Sequence, residues 1–354
     1  MSQLIIQAGP DAYAKIQRDG LQAEDIAAVF GASGAAKWLG IYGLDSAIFS
    51  RWLVNAKQKI FLYGTSVGAF KLAAAAQCDS ALAFKRLADG YISQDYSTDF
   101  STAAIARETQ RIIDKVLPDE AVTQVLNSEK YLFGCGAVQC TGLLGSESLM
   151  QQRLGMVRAT VQNALPWMGR PEFTRVICAG EAARPLIKSD AGRFISLQED
   201  TFKSAILASG SLPVYMSGVR GLDGRADAVY RDGGLLDYHP LPGNLLSDHT
   251  GLVLYPHFYP HLVEQWFDKF YPWRKVSGDR LANVVLISPS ESFVQTLPQQ
   301  RIPDRKDFSL YRGRDQQRIA LWQRAAEQSF ELGEAFLTLQ KTGDIARMVK
   351  PLPV

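Results

Sequence analysis

The stretch FLYGTSVGAF, residues 61–70, is typical of a buried strand that ends in a tight turn and begins a helix. Ser66 lies at the turn, within Gly64-Thr65-Ser66-Val67-Gly68. GxSxG in this setting is typical of a nucleophile elbow, where the serine is strained and Cβ atoms at both glycines would collide with the neighbouring strand and helix. We therefore expect Ser66 to be a nucleophile, supported by Gly64, Val67 and Gly68. An ordinary glycine junction between strand and helix is the alternative.

Short apolar strands alternate with longer helical stretches along the rest of the chain. Buried strands are predicted at 25–30, 59–64, 175–180, 251–256 and 283–288, and helices at 44–53, 101–117, 147–165 and 316–339. Two more short strands are predicted around a turn at Asp223-Gly224. This alternation predicts an α/β fold with a largely parallel sheet that is covered on both faces. The last helix is amphipathic and should pack against the core, with an oligomer or membrane contact as the alternative.

Composition argues against several classes of protein. The chain has 354 residues with 38 Lys and Arg against 36 Asp and Glu, so its net charge of +2 gives no electrostatic reason to expect nucleic acid as a partner. No apolar run approaches the ~18 to 20 residues of a membrane span. The first twenty residues lack a signal-peptide pattern, and the four cysteines show no CxxC spacing. We expect a cytoplasmic protein with free thiols.

The base that would activate Ser66 can be sought among the histidines and carboxylates. The four histidines are His239, His249, His257 and His261, and none has a distinctive sequence setting. In VYRDGGLLDYHPL (229–241), Asp232 ends a short strand and is followed by Gly233 and Gly234, which leave room beside the carboxylate. A carboxylate within hydrogen-bond reach of a hydroxyl can act as a general base. Asp-Gly is also a common turn, and that interpretation remains open.

A site that could stabilise a negatively charged oxygen is predicted after the first buried strand. VFGASGAAKWLGIYGL (29–44) contains the small residues Gly31, Ala32, Ser33, Gly34 and Ala35, followed by a helix from about Trp38. Small side chains let backbone N–H groups converge on one oxygen, as in an oxyanion hole. The sequence lacks GxxxxGK[ST], and GxGxxG does not fit here, which argues against a phosphate-binding loop. A close packing turn is the other alternative.

These three elements in this order resemble the patatin-like phospholipase family. That family carries GGGxRG or GGGxKG, then GxSxG, then DGG or DGA, and the similar elements here are residues 31–38, Ser66 and Asp232. SAILASGSLPVYM (204–216) is similar to the family's Ala-Ser-x-Ala-x-Pro helix end. Lys37 matches the basic residue of the first motif, but Trp38 stands where a glycine is usual. The resemblance covers residues 25–250, our expected catalytic domain, and 251–354 would be an extension that packs on it.

The resemblance implies a lipid acyl hydrolase with a Ser66–Asp232 dyad and no catalytic histidine. It implies a three-layer α/β/α sandwich, oxyanion stabilisation by amides of residues 31–35, a supporting role for Lys37, and no metal or organic cofactor. An esterase with a Ser-Asp-His triad and a non-catalytic lipid-binding protein remain as alternatives. The substrate would be a phospholipid, a lysophospholipid or a simple ester.

An aromatic segment near the C-terminus is a candidate for peripheral membrane contact. Its aromatic members are Phe258, Tyr259, Trp266, Phe267, Phe270, Tyr271 and Trp273, and its basic members are Lys269, Arg274 and Lys275. Aromatic rings suit the headgroup boundary, and cations favour anionic lipid. Packing of these rings into the core is the alternative interpretation.

Overall fold

The computed structural model describes residues 2–169, 171–247, 251–271 and 273–353. Within these ranges one mixed sheet forms the centre of the protein. Its strands are β1 (Leu4–Ala8), β2 (Ile26–Gly31), β3 (Ile60–Thr65), β4 (Tyr131–Cys140), β5 (Phe173–Ala179), β6 (Arg193–Ser196), β7 (Val219–Arg220), β8 (Val229–Asp232), β9 (Leu252–Pro256), β10 (Val284–Pro289) and β11 (Lys350–Pro351). The strand order is β11-β1-β10-β9-β2-β3-β4-β5-β6, and β8 pairs with both β4 and β7.

Helices cover both faces of this sheet in a three-layer α/β/α arrangement. The α-helices of the described residues are α1 (Pro10–Asp19), α2 (Tyr42–Ala47), α3 (Val67–Ala75), α4 (Ser80–Ile92), α5 (Thr102–Val116), α6 (Asp119–Leu126), α7 (Leu149–Ala164), α8 (Glu199–Gly210), α9 (Pro242–Leu245), α10 (Glu291–Val294), α11 (Asp307–Leu310), α12 (Asp315–Gln328), α13 (Phe330–Thr342) and α14 (Ile345–Met348). No helix in this part of the chain is long and apolar enough to cross a membrane.

The predicted α/β fold is confirmed, and its parallel centre follows from the apolar runs. Strands β10, β9, β2, β3 and β4 lie side by side and parallel. Side chains of β3, β9 and β10 are buried along their whole length, because helices lie on both faces. The carboxyl ends of β2 and β3 meet where Gly31 is in register with Gly64. The turns that follow these two strands therefore lie next to each other.

Sequence analysis did not find β4, although it is the longest strand. Gly134 and Gly136 interrupt its apolar pattern. Packing favours both glycines: a Cβ at Gly136 would lie 2.4 Å from the Tyr63 hydroxyl, which is too close, and one at Gly134 would lie 3.2 Å from the Phe61 ring, which is tight. β4 runs parallel to β3 and antiparallel to β5 and β8, so it connects the strand before Ser66 with the strand that ends at Asp232.

Residues 251–354 contribute strands to the same sheet. β9 pairs with β2, and β10 pairs with β9 and with the N-terminal strand β1. The single helix predicted at 316–339 is instead two helices, α12 and α13, divided at Ser329. The Ser329 hydroxyl accepts a hydrogen bond from the Gly43 N–H at 2.8 Å and donates to the Ala326 carbonyl at 2.6 Å, which ties this division to α2.

Candidate active site

Ser66 lies between the end of β3 and the start of α3, in a strained backbone conformation. Its φ is 52° and its ψ is −130°, a region that residues with a Cβ rarely occupy. Its N–H donates to the Ser209 carbonyl and lies equally close, at 3.0 Å, to the Ser209 hydroxyl oxygen. The Ser209 hydroxyl in turn donates to the Gly136 carbonyl at 2.7 Å. The end of α8 thus holds the Ser66 backbone against β4.

Three glycines allow the turns after β2 and β3 to approach each other. A Cβ at Gly64 would lie 2.4 Å from the Gly68 carbonyl carbon, and one at Gly68 would lie 2.2 Å from the Gly31 oxygen. A Cβ at Gly31 would in turn lie 2.8 Å from the Gly68 oxygen. Real Cβ atoms do not make contacts this short, so the first turn of α3 can lie against the end of β2 only without side chains here.

Asp232 is buried at the end of β8, with 6% of its surface exposed. Its Oδ1 accepts a hydrogen bond from the Gly234 N–H at 2.7 Å, and the Ser66 side chain lies close enough to the carboxylate to affect its pKa. Burial raises the pKa of Asp232 to about 6, even though the Gly234 N–H, the Ser66 side chain and the charges of Arg305 and Lys269 act to lower it. A carboxylate with this pKa is mostly ionised at neutral pH and still able to take a proton.

The register of β4 explains how Ser66 and Asp232 come together across 166 residues of sequence. Thr65 pairs with Gly136 of β4, and Asp232 pairs with the next residue of β4, Ala137. β5 pairs with Gly134–Cys140 along the opposite side of β4, so β3 and β8 lie one beyond the other on the same side, and their ends meet at Gly136 and Ala137.

The two glycines after Asp232 are also required by close packing. A Cβ at Gly233 would lie 2.2 Å from the Gly136 carbonyl oxygen, and one at Gly234 would lie 2.5 Å from the Ser33 hydroxyl. The turn after Asp232 therefore lies directly against the turn after β2. The Ser33 hydroxyl also bonds to the Thr65 hydroxyl at 2.9 Å, which links the ends of β2 and β3.

The predicted oxyanion loop contains both engaged and unused N–H groups. The Ser33 N–H donates to the Tyr238 carbonyl at 2.8 Å, so it is not available to a ligand. In the described part of the chain, no hydrogen bond uses the N–H groups of Gly34, Ala35 or Val67. Ala35 has a φ of 49°, and the 3-10 helix Ala35–Ile41 begins here rather than at Trp38 as the sequence suggested. Ala32 is buried at the end of β2.

Lys37 and Trp38 are each held by a carboxylate. The Lys37 ammonium forms an ion pair with Asp304. Burial alone would raise the pKa of Asp304, but the charge of Lys37 and a bond from the Lys306 N–H hold it below its usual value. Trp38 is buried, and its indole N–H donates to Asp45 Oδ2 at 2.8 Å. Trp38 is therefore a core residue.

A buried ion pair behind Ser66 escaped sequence analysis. Lys71 Nζ lies 3.1 and 2.9 Å from the two oxygens of Asp45, and both side chains are almost fully buried. Burial raises the pKa of Asp45, whereas Lys71 and Trp38 act to lower it. The pair joins α3, α2 and the 3-10 helix that carries Trp38. A lysine in the otherwise wholly apolar helix VGAFKLAAA was the sequence feature that could have indicated a buried acidic partner.

Two cations near the carboxylate come from the C-terminal part of the chain. The Lys269 ammonium lies 3.4 Å from the centre of the Tyr238 ring. Partial desolvation of this ammonium, together with the charges of Lys37 and Arg305, lowers the pKa of Lys269 to about 7. Arg305 stacks on the exposed ring of Tyr215 at 4.8 Å. Sequence analysis placed Lys269 only in the aromatic segment proposed for membrane contact, and it did not single out Arg305.

The histidines do not contact the serine in the described residues. His239 and His257 are buried with ring centres 4.3 Å apart, and their Nδ1 atoms accept bonds from the N–H groups of Val263 and Tyr259. Burial lowers the pKa of His257 to about 3 and that of His239 well below its usual value, which makes both poor bases at neutral pH. His261 stacks on Tyr259 at the surface, and His249 lies outside the described residues.

The aromatic segment divides between core and surface. Phe258 and Phe267 are buried, and the Phe258 ring would lie 2.6 Å from a Cβ at Gly34, so their predicted membrane contact is wrong. Phe270 and Trp273 are exposed, and Tyr259, Trp266 and Tyr271 are half-buried.

A cavity of about 260 Å³ lies beside this segment, between α7 and residues 263–276, but neither Ser66 nor Asp232 lines it. Among the described residues, no group of three His, Cys, Asp or Glu side chains could hold a metal ion.

Comparisons with known proteins do not assign the chain to a family. No protein-family model and no curated protein matches it. Among solved structures, human GIVD cytosolic phospholipase A2 is similar with a TM-score of 0.34 and 11% sequence identity, over 95% of this chain and 63% of that one. This chain thus spans less than two thirds of the length of that phospholipase. At this TM-score the two backbones differ too much for residues to be matched.

Proposed function

We propose that this chain is a serine acyl hydrolase for lipid esters, with Ser66 as nucleophile and Asp232 as general base. The observation that carries the proposal is the position of Ser66, on a strained strand-to-helix turn, beside a buried carboxylate with a pKa of about 6. Three features are thereby combined: an accessible hydroxyl, a base within reach, and a backbone that keeps the serine in one orientation.

The proposed reaction uses one proton transfer site in both half-reactions. Asp232 accepts the Ser66 proton as the serine oxygen attacks the ester carbonyl, and then delivers that proton to the leaving alcohol. Water attacks the resulting acyl-enzyme, with Asp232 again accepting a proton and returning it to Ser66. The unused N–H groups of Gly34, Ala35 and Val67 would bind the oxyanion of each tetrahedral intermediate.

The observed bonds favour a dyad over a Ser-Asp-His triad. In a triad the histidine bonds to the serine, but His239 and His257 bond to backbone groups and are weak bases. A non-catalytic lipid-binding protein would have no need for the strained serine beside a carboxylate. Phospholipid, lysophospholipid and simple ester substrates are all compatible with the proposal.

Labelling with a fluorophosphonate probe tests the nucleophile directly. Wild type should be labelled and Ser66→Ala should not. Ser128→Ala removes another half-buried serine hydroxyl, at the opposite end of β4 from Gly136, and should be labelled like wild type. Heat-denatured wild type controls for non-specific labelling. An unlabelled wild type, or a labelled Ser66→Ala, would refute the assignment.

Release of fatty acid from lysophospholipid and of p-nitrophenol from a short-chain ester tests the reaction. His239→Gln and His257→Gln should keep both activities, since glutamine can still accept the backbone N–H that each Nδ1 now accepts. Loss of labelling in a folded His239→Gln or His257→Gln variant would favour the triad instead.

A further inference from the structure

Helix α7 exposes a row of apolar side chains on one face. Met150, Leu154, Val157 and Val161 are exposed by 69%, 53%, 62% and 38%. Their spacing of four, three and four residues places them along a single side of the helix. A helix that packs on a core normally exposes polar side chains to water, whereas this row exposes apolar ones. Such a row is a candidate for contact with a partner.

The row continues into neighbouring segments. Trp167 and Met168, in the 3-10 helix that follows α7, are exposed, and so are Phe270 and Trp273. Arg274 donates to the Asn163 carbonyl at 2.7 Å, which brings the end of α7 beside Trp273. We call this set the α7 surface: Met150, Leu154, Val157, Val161, Trp167, Met168, Phe270 and Trp273.

The inner side of α7 packs against the turn that carries Asp232. Ala159 of α7 shares a small apolar core with Phe267 and with Leu235, which follows Asp232-Gly233-Gly234. Phe270 belongs to the same 3-10 helix as Lys269, whose charge acts on Asp232. The α7 surface therefore borders the candidate active site.

The charges around this surface favour an anionic partner. The carboxylates that flank it are each paired with an arginine: Glu147 with Arg231, Glu172 with Arg158, and Asp268 with Arg274. Arg153 and Lys275 are exposed, and the described residues provide neither with an ion-pair partner. The surface thus combines apolar side chains with uncompensated positive charge.

We propose that the α7 surface docks onto a lipid surface that contains anionic headgroups. Apolar side chains of α7 would enter the boundary between headgroups and acyl chains, tryptophan rings would lie at the headgroup level, and Arg153 and Lys275 would meet the anionic groups. A second copy of this chain is a poorer occupant, because a two-fold contact would place the same cations opposite each other. This inference goes beyond the proposed function, since docking does not depend on the chemistry of Ser66.

Co-sedimentation with vesicles of equal parts phosphatidylcholine and phosphatidylglycerol tests the proposal. Wild type should bind these vesicles more tightly than vesicles of phosphatidylcholine alone. Leu154→Ser/Val157→Ser should lower partitioning roughly tenfold or more, because both side chains would leave the apolar boundary. The matched control Val54→Ser/Leu82→Ser replaces one leucine and one valine of similar exposure, 43% and 51%, near the opposite end of β3 from Ser66, and should bind like wild type.

Two further measurements keep the outcomes separate. Brominated lipid should quench the fluorescence of wild type, and Trp167→Phe and Trp273→Phe should each reduce that quenching. Fluorophosphonate labelling of Leu154→Ser/Val157→Ser should be retained, and this labelling reports on the proposed function independently of docking. Absence of wild-type binding, equal loss in the control pair, or a dimer that only the α7 variant dissociates would overturn the proposal.

Discussion

Replacing Asp232 by asparagine should abolish hydrolysis and at the same time stabilise the fold at neutral and alkaline pH. Asparagine keeps the shape of the side chain, and its oxygen can still accept the Gly234 N–H that Asp232 Oδ1 accepts at 2.7 Å. It cannot take a proton from Ser66, so the serine is no longer activated. The stabilisation follows from burial, because the neutral amide has no charge to desolvate.

The size of the stabilisation depends on pH. The pKa of Asp232 is raised from the ordinary 3.8 to about 6 in the folded protein. The protonated carboxyl therefore favours folding below the unfolded-state pKa, and this contribution is lost as pH rises through the folded-state value. Asp232→Asn should be more stable than wild type by about 1 kcal/mol near about pH 4.5 and by about 3 kcal/mol near about pH 8. For a chain of this length, about 3 kcal/mol corresponds to about 4 °C in Tm.

Urea denaturation of both proteins at the two pH values measures the difference. The wild-type kcat/KM for a soluble ester should also rise with pH through about 6, as the base ionises. A stability difference that is the same at both pH values would mean that the carboxyl does not titrate abnormally in the folded state. Hydrolysis by a folded Asp232→Asn variant would exclude Asp232 as the base.

Three further predictions concern the backbone and core behind the site. Ser66→Gly should be more stable than Ser66→Ala by about 1 kcal/mol, because glycine tolerates a φ of 52°. Neither variant should hydrolyse esters. Equal stability of the two variants in thermal denaturation would argue that the turn is unstrained. Gly68→Ala should lower the free energy of unfolding by at least about 2 kcal/mol and abolish probe labelling, because its Cβ would lie 2.2 Å from the Gly31 oxygen. The control Gly180→Ala, whose Cβ would have no atom within 4 Å, should behave as wild type in both assays. Lys71→Met should lower the free energy of unfolding by about 3–5 kcal/mol, because Asp45 would stay buried without its cation. In urea denaturation, Lys71→Met/Asp45→Asn should recover most of that stability. No recovery would show that the lysine acts through packing alone.

The local structure around Ser66 could be predicted from sequence because it depends on neighbouring residues. An apolar run, a glycine on each side of the serine and an alanine-rich segment specify strand, turn and helix within about fifteen residues. The alternation of such segments indicated the α/β fold for the same reason. The positions of Asp232 and of the loop after β2 could be proposed from residue types, but not their distances from Ser66.

Other features emerged only in the folded chain, because they depend on contacts between residues far apart in sequence. The register of β4 places the ends of β3 and β8 beside the neighbouring residues Gly136 and Ala137, and this pairing joins strands far apart in the sequence. Which amides are already engaged, as Ser33 N–H is with Tyr238, depends on a loop more than 200 residues away. Composition could not distinguish buried Phe267 from exposed Trp273, because burial is a property of what packs around a side chain. The pKa of Asp232 has the same origin: water is excluded from its carboxylate by elements that the sequence places far apart and the sheet brings together.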